Sequence, residues 1–193
     1  HDKYKSKQDI YEFTGIVVEE ITRLERFLNE FLSFSRGVKP HMKKHDIQTF
    51  TTGILMITKH NFPYGIKIVS EKPKLPDVYM DAEQMKQVMV NLLNNAKDAT
   101  AGRSSPRVEI RLSSDDRYVY VKVADNGCGI SKKDLSRIST PFYTTKKEGM
   151  GIGLAISRSI IKKHGGDLSI ESKVNKGSVF TISIPVEKRS VKR

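Results

Sequence analysis

Apolar positions recur every seven residues near the start of the chain, at Ile10, Val17, Leu24 and Phe31. Thr14, Ile21, Leu28 and Ser35 form a companion seam four residues on, and Phe13, Phe27 and Phe34 widen the stripe. A two-stranded coiled coil needs only the narrow seam. The breadth therefore predicts one long helix over about residues 8–36 that joins a helical bundle. Gly37 and Pro40 close it, as a glycine past a helix end and a following proline commonly do. One helix cannot bury such a stripe alone, so a partner helix or another copy of the chain is expected to cover it.

Beyond that helix the period changes. Residues 47–57 read as a helix or as a strand followed by a helix, and residues 65–70 alternate like a strand. After Pro73 and Pro76, residues 78–80 (VYM) form a short strand candidate. Asp81 is a plausible N-cap, with Gln84 three residues later in a capping-box arrangement, and the helix it opens runs to about residue 101. Strands are expected near 107–113 and 118–124, a short helix at 132–138, and a helix over 151–164. Two last strands, 167–172 and 178–185, are joined by the turn VNKG, and a basic tail follows. The pattern predicts two domains, residues 1–38 and 39–193, the second of α+β class.

Composition narrows the class. No apolar run approaches the roughly 18 residues that a membrane span needs, and no apolar stretch near the start resembles a signal peptide. A membrane anchor of a longer parent protein would lie outside these residues. The single cysteine excludes an internal disulfide and fits a reducing compartment, so a cytoplasmic location is expected. The formal charge is +12, but residues 1–50 are nearly balanced and the excess lies in 51–193. There the basic residues are scattered over many segments, and no helix-turn-helix, zinc-finger or RNP-like signature is present. No nucleic-acid partner is expected. A solvated basic surface and attraction to a polyanionic ligand or an acidic partner both remain open.

Three segments carry candidate chemistry. In MDAEQMKQVMVNLLNNAKDAT, Met85, Val88, Met89, Leu92, Leu93, Ala96 and Ala99 recur at helical spacing and define a buried face. At about 100° per residue, Asn91, Asn95 and Asp98 share one stripe beside that face. The stripe suits either a polar boundary or oxygen ligands for a hard cation such as Mg²⁺. In GMGIGLAISRSIIKKHGG, Gly149, Gly151 and Gly153 stand where an apolar-periodic helix starts, so backbone N–H groups are available to phosphate. The spacing fits neither the P-loop nor the dinucleotide fingerprint. His164, near the end of that helix, is placed where a cation suits the dipole. In VADNGCGI, Asp125 ends a strand, with Gly127 and Gly129 allowing a sharp turn. A carboxylate there can accept from an exocyclic amine, with Ile130 as an apolar flank for a flat ring. The same residues would suit a plain turn; the full calcium-loop pattern is absent. Cys128 reads as a small packing residue rather than a redox sensor.

The order NLLNNAKDA, DNGCGI, PFYTTK, GMGIGL, GSVFTISIP resembles the ATP-binding domain of sensor histidine kinases, within the GHKL superfamily, and LNEFLSFSR resembles the end of the second helix of their dimerisation domain. The resemblance spans nearly the whole chain. It implies a GHKL (Bergerat-type) α/β sandwich, a mixed sheet with helices on one face, preceded by a long bundle-forming helix. It further implies that ATP or ADP binds with Mg²⁺. Asn95 matches the metal-ligating asparagine, assisted by Asn91, with Asp98 on the same edge. Asp125 matches the acceptor of the adenine amine, beside Gly127, Gly129 and Ile130. Phe142, Thr145 and Lys146 belong to the lid, with Lys146 reaching phosphate as a catalytic group. Gly149, Met150, Gly151, Ile152, Gly153 and Leu154 shape the phosphate wall, and Ser178 supports water at the adenine. Met150 and Ile152 stand where the family usually has Thr and Leu, which alters lid packing more than chemistry.

Hydrolysing members of the superfamily carry a glutamate where this chain has Asn91, and an amide cannot be a general base. The resemblance therefore implies phosphoryl transfer to a histidine on the dimerisation helix of a homodimer, then to the receiver-domain aspartate of a response regulator. None of the five histidines suits the acceptor. His1 and Asp2 mimic the family's pair, yet lie too close to the long helix. The fragment is not expected to label itself. The alternative is an anti-sigma-like serine kinase or a non-hydrolysing nucleotide-binding regulator of the same superfamily.

Overall fold

The computed structural model describes residues 7–35, 39–62, 64–146 and 149–186. The chain divides into two compact units, residues 1–38 and 39–193. In the first, helix α1 (Lys7–Ser35) runs for 29 residues. Ile10, Phe13, Val17, Ile21, Leu24 and Leu28 of the expected stripe are exposed on it, as are Tyr11, Ile16 and Val18. Thr14 and Thr22 each return their hydroxyl to the carbonyl four residues back, at 2.8 Å, so neither spends a donor across the helix face. The side chains of Phe27, Phe31, Phe34 and Ser35, together with Gly37, His1 and the basic tail, lie outside the described residues.

The second unit is built on a five-stranded mixed sheet. Its strands are β2 (Lys67–Ser70), β4 (Val108–Ser114), β5 (Tyr118–Asp125), β6 (Asp167–Lys173) and β7 (Gly177–Pro185). They lie in the order β2-β4-β5-β7-β6. Among the described residues, β2 and β4 pair in parallel and the other pairs of this sheet are antiparallel. A separate two-stranded ladder joins β1 (Lys43–His45) to β3 (Val78–Met80). The sequence pattern does not predict β1, since KKH offers no apolar alternation; a partner 35 residues away supplies its ladder.

Helices α3 (Ala82–Thr100) and α5 (Gly153–Lys163) cover one face of the sheet, and α2 (Ile47–Thr58) packs on α3. The open reading of residues 47–57 thus resolves as helix, with the Asp46 carboxylate accepting from Thr49 N–H at 2.7 Å. The period-3.6 face of α3 is the expected one: Met85, Val88, Met89, Leu92, Leu93 and Ala96 are all buried. Ile110 and Leu112 of β4, Val119, Val121 and Val123 of β5, and Phe180, Ile182 and Ile184 of β7 are buried as well and complete the apolar core. Helix α4 (Lys132–Leu135) is shorter than expected, with its start capped by Ser131.

The N-cap of α3 departs from the capping box in one respect. Asp81 accepts from the N–H groups of Glu83 and Gln84 at 3.1 Å, but Gln84 does not return the bond. The Asp81 N–H donates instead to Nε2 of His164, 2.9 Å away at the end of α5. His164 is therefore a buried junction between two helices, 3% exposed, rather than a surface cation on a helix dipole. Its Nδ1 faces the Ile160 carbonyl at 2.8 Å. A donor there and an acceptor at Nε2 is the pattern of neutral imidazole.

Candidate functional site

Strand alternation explains the place of Asp125. Positions 119, 121 and 123 of β5 face the core, and 125 is next in that phase, so its carboxylate points to the helix-covered side and is only 9% exposed. Burial pushes this carboxyl above its usual range, opposed by the N–H groups of Gly127 and Ser178 and by the charge of Arg103. Gly127 N–H donates to Asp125 Oδ1 at 2.8 Å. At Gly127 the loop touches the last turn of α3: a Cβ there would lie 2.4 Å from the Ala99 carbonyl oxygen. Only glycine lets Cys128 N–H reach that same oxygen at 2.9 Å. The Cys128 thiol itself is exposed, so the residue contributes its backbone and does not pack as the sequence suggests.

Ser178, buried on β7 and paired in register with Asp125, belongs to a hydroxyl chain behind this loop. Ser172 accepts from Ile130 N–H at 2.8 Å and donates to the Gly177 carbonyl at 2.9 Å. Its only hydrogen being used, Ser178 supplies the donor for their 2.9 Å contact. Gly129 sits against the Lys173 carbonyl, and Asn175 N–H donates to the Cys128 carbonyl at 2.7 Å, so the β6–β7 turn backs the DNGCGI loop.

Asn91, Asn95 and Asp98 share one edge of α3, as spacing requires. Asn91 Nδ2 donates to the buried Ser157 hydroxyl at 2.9 Å, which turns its Oδ1 toward the start of α5. There Gly153 approaches so closely that a Cβ would stand 2.4 Å from Asn91 Oδ1. Helix α5 begins at Gly153, two residues later than the sequence suggests, with Ile152 buried at its cap position and, among the described residues, no side-chain cap. Unsatisfied donors and the positive end of the helix dipole make this terminus attractive to anions. Leu154 and Met150 are half-buried beside it.

Lys146 bridges the two ends of the site. Its ammonium lies 2.8 Å from Asn95 Oδ1 and 2.5 Å from Asp98 Oδ2. The two oxygens thus already converge on one positive charge, a donor chemistry that fits a hard cation. The resemblance places Lys146 on phosphate; in this structure it rests on Asn95 Oδ1 and Asp98 Oδ2 instead. Thr145 is exposed beside it, and Gly149 packs against the Thr144 hydroxyl. The segment is anchored at its start. Tyr143 donates to Asp134 Oδ1 at 2.6 Å, Arg137 lies 4.4 Å over the Tyr143 ring, and Phe142 N–H donates to the Gly151 carbonyl at 3.0 Å. The Tyr143 and Ser131 hydroxyls hold the Asp134 carboxyl below its usual range. Phe142 is exposed and has φ of 66°, a left-handed conformation costly for a bulky residue.

Sequence reasoning missed Arg103. Its guanidinium donates from Nη2 to the Gly127 carbonyl at 2.7 Å. The only signal was its place just past the helix end, where it reads as one more solvated base.

Residues 80–188 match the family model described as histidine kinase-, DNA gyrase B-, and HSP90-like ATPase. The chain is 30% identical over 186 residues to sporulation kinase E of Bacillus subtilis (strain 168), covering 94% of this chain and 25% of that protein. It therefore spans a quarter of that relative's length. The nucleotide-free catalytic domain of histidine kinase ThkA superposes with a TM-score of 0.68 at 28% identity, covering 76% of this chain and 96% of that one. Histidine kinase ThkA in complex with response regulator protein TrrA gives 0.74 at 25% identity over 97% of this chain and 53% of that one.

Proposed function

From the histidine kinase-, DNA gyrase B-, and HSP90-like ATPase family, to which this chain belongs, we propose that residues 39–193 are the ATP-binding catalytic domain of a sensor histidine kinase. On this reading residues 1–38 supply one helix of its dimerisation domain. The adenine amine meets the Asp125 carboxylate, and Gly127, Gly129 and Ile130 frame the ring with Ser178 behind it. The phosphates run along the start of α5, from Gly149 through Met150, Gly151, Ile152, Gly153 and Leu154, beneath the segment that carries Thr145 and Lys146. Asn95 would hold Mg²⁺, with Asn91 and Asp98 beside it. The metal, when bound, neutralises charge on the phosphates. Binding of the nucleotide frees Lys146 from Asp98 to reach phosphate.

The observation that carries the choice of reaction is Asn91. It lies against the N-terminus of α5, where an attacking water would need a base, and its amide is fixed by Ser157. An amide cannot take a proton from water, so this domain preserves the γ-phosphoryl for another acceptor. What it contributes is position and charge neutralisation. The acceptor is a histidine on a bundle helix, reached when the exposed stripe of α1 is covered in a homodimer, and the group then passes to an aspartate of a response regulator. The complex of histidine kinase ThkA with response regulator protein TrrA supports that class of partner. Among the described histidines, His164 is buried with both ring nitrogens engaged as a structural junction, which removes it as an acceptor. No helix among the described residues is long and apolar enough to cross a membrane; the domain works in the cytoplasm, where ATP and the regulator are.

Incubation with γ-labelled ATP and a dimerisation fragment carrying the acceptor tests this reading. Acid-labile label on the fragment is expected, with none on this chain. Acid-stable label on serine would instead support the serine-kinase alternative, and nucleotide affinity without transfer a binding regulator.

A further inference from the structure

We propose that Arg103 is a positioning and specificity residue for the base end of the site, fixing the Gly127 peptide and placing a guanidinium in the loop that carries Asp125. The inference rests on the reading of Asp125 as the acceptor of a purine amine. Arg103 follows α3 after Gly102 and is half-buried, with its own N–H on the Thr100 carbonyl at 3.0 Å. Its guanidinium holds the Gly127 carbonyl at 2.7 Å, while the N–H of the same peptide unit, that of Cys128, is held by Ala99 at 2.9 Å. Both ends of that plane are therefore fixed. The preceding peptide donates from Gly127 N–H to Asp125 Oδ1, so the guanidinium is linked to the carboxylate through one residue of backbone.

The rest of the α3–β4 connection grips the same loop. Asn126 accepts from Arg107 N–H at 2.8 Å and donates to the Ser105 carbonyl at 2.7 Å. Those contacts are neutral and brace the backbone. Of the groups acting on Asp125, the N–H of Gly127 from its own loop and that of Ser178 from β7 carry no formal charge, and Arg103 supplies the one positive charge among them. A carboxylate this buried pays a desolvation penalty for staying ionised. An ionised carboxylate accepts from a 6-amino purine and repels a 6-oxo one; a protonated carboxyl can donate to the 6-oxo group and loses the distinction. Arg103 thus sets the pH range over which amine and carbonyl are told apart.

The test is calorimetric affinity for ADP and IDP, with Mg²⁺, across pH 5–8, in wild type, Arg103→Lys, Arg103→Met and Asp125→Asn, each checked for an unchanged far-ultraviolet circular dichroism spectrum. Expected is an ADP preference in wild type that falls as pH drops. In Arg103→Met the ADP affinity falls about tenfold, IDP changes less, and the pH at which the preference is half lost moves upward. Arg103→Lys keeps the charge and leaves that pH close to wild type. If Arg103→Met instead weakens ADP and IDP equally, with the half-loss pH unmoved, Arg103 is only a brace and the inference fails. If wild type shows no ADP preference, or Asp125→Asn leaves it intact, the reading of Asp125 fails first. Should Arg103→Met lose its fold, Arg103→Gln, which keeps a donor for the Gly127 carbonyl without the charge, replaces it: a half-loss pH moved upward supports the proposal, and one that coincides with wild type overturns it.

Discussion

The backbone N–H of Asp81 donates to Nε2 of His164 at 2.9 Å, joining the start of the helix that carries Asn91 and Asn95 to the end of the helix whose start faces them. Asp81 also accepts from His41 N–H at 2.8 Å, so the first residues of the second unit are tied to the same point. One cluster thus fixes the far ends of both walls of the site. Replacing His164 with Phe keeps bulk and leaves the Asp81 N–H without its acceptor. Destabilisation of about 1–3 kcal/mol is expected, read from urea unfolding. A change below about 0.5 kcal/mol would remove the junction from the account.

Asp81 adds a pH signature. Burial raises its carboxyl, but the N–H groups of Gln84, His41 and Glu83 outweigh this and hold it below the ordinary 3.8. A carboxyl depressed in the folded state contributes stability that is present above the unfolded value and lost as pH falls through the folded one. Asp81→Ala is therefore expected to cost about 1 kcal/mol near neutrality, with the gap to wild type closing below pH 3.8. Thermal unfolding of both proteins from pH 7 to 3 checks this.

Asp125 has the opposite sign. Its carboxyl is raised in the folded state, burial being the main cause. Between the unfolded and folded values the native state binds more protons, so stability falls as pH rises, and the ionised form costs stability at neutrality. Asp125→Asn should raise the melting temperature of the nucleotide-free protein at pH 7 by a few degrees, with the gain shrinking at acid pH. A melting temperature below wild type at pH 7 would show that the carboxylate is not a burden on the fold.

Lys146 occupies Asn95 Oδ1, the oxygen proposed for the metal, together with Asp98 Oδ2. Both partners are exposed, so solvent screening limits the pair to about 0.2–1 kcal/mol. Lys146→Met should accordingly lower the Mg²⁺ concentration that half-saturates ADP binding by about twofold to fivefold, even as the affinity for nucleotide itself weakens. An unchanged or higher requirement would mean that Lys146 does not compete with the cation.

Much of this arrangement is legible in the sequence because it follows from single-element periodicity. The stripe of α3 places Asn91, Asn95 and Asp98 together by angle alone, and the alternation of β5 carries Asp125 to the core side. What is not legible depends on contacts between distant segments. Strand β1 exists only through β3, and the partner of the Asp81 N–H comes from 83 residues away rather than from Gln84. Arg103 reads as surface charge until the DNGCGI loop folds back over it. Cys128 looks like packing because its neighbours do, yet the turn sends its side chain outward and its peptide inward.

The most direct measurement is a crystal structure of the chain with Mg²⁺ and a non-hydrolysable ATP analogue. The account expects the base amine within hydrogen-bonding distance of Asp125, the metal on Asn95 Oδ1, and Lys146 displaced from Asp98 onto phosphate. A nucleotide bound elsewhere, or one in this cleft with Asp125 turned from the base and Lys146 still on Asp98, would contradict it.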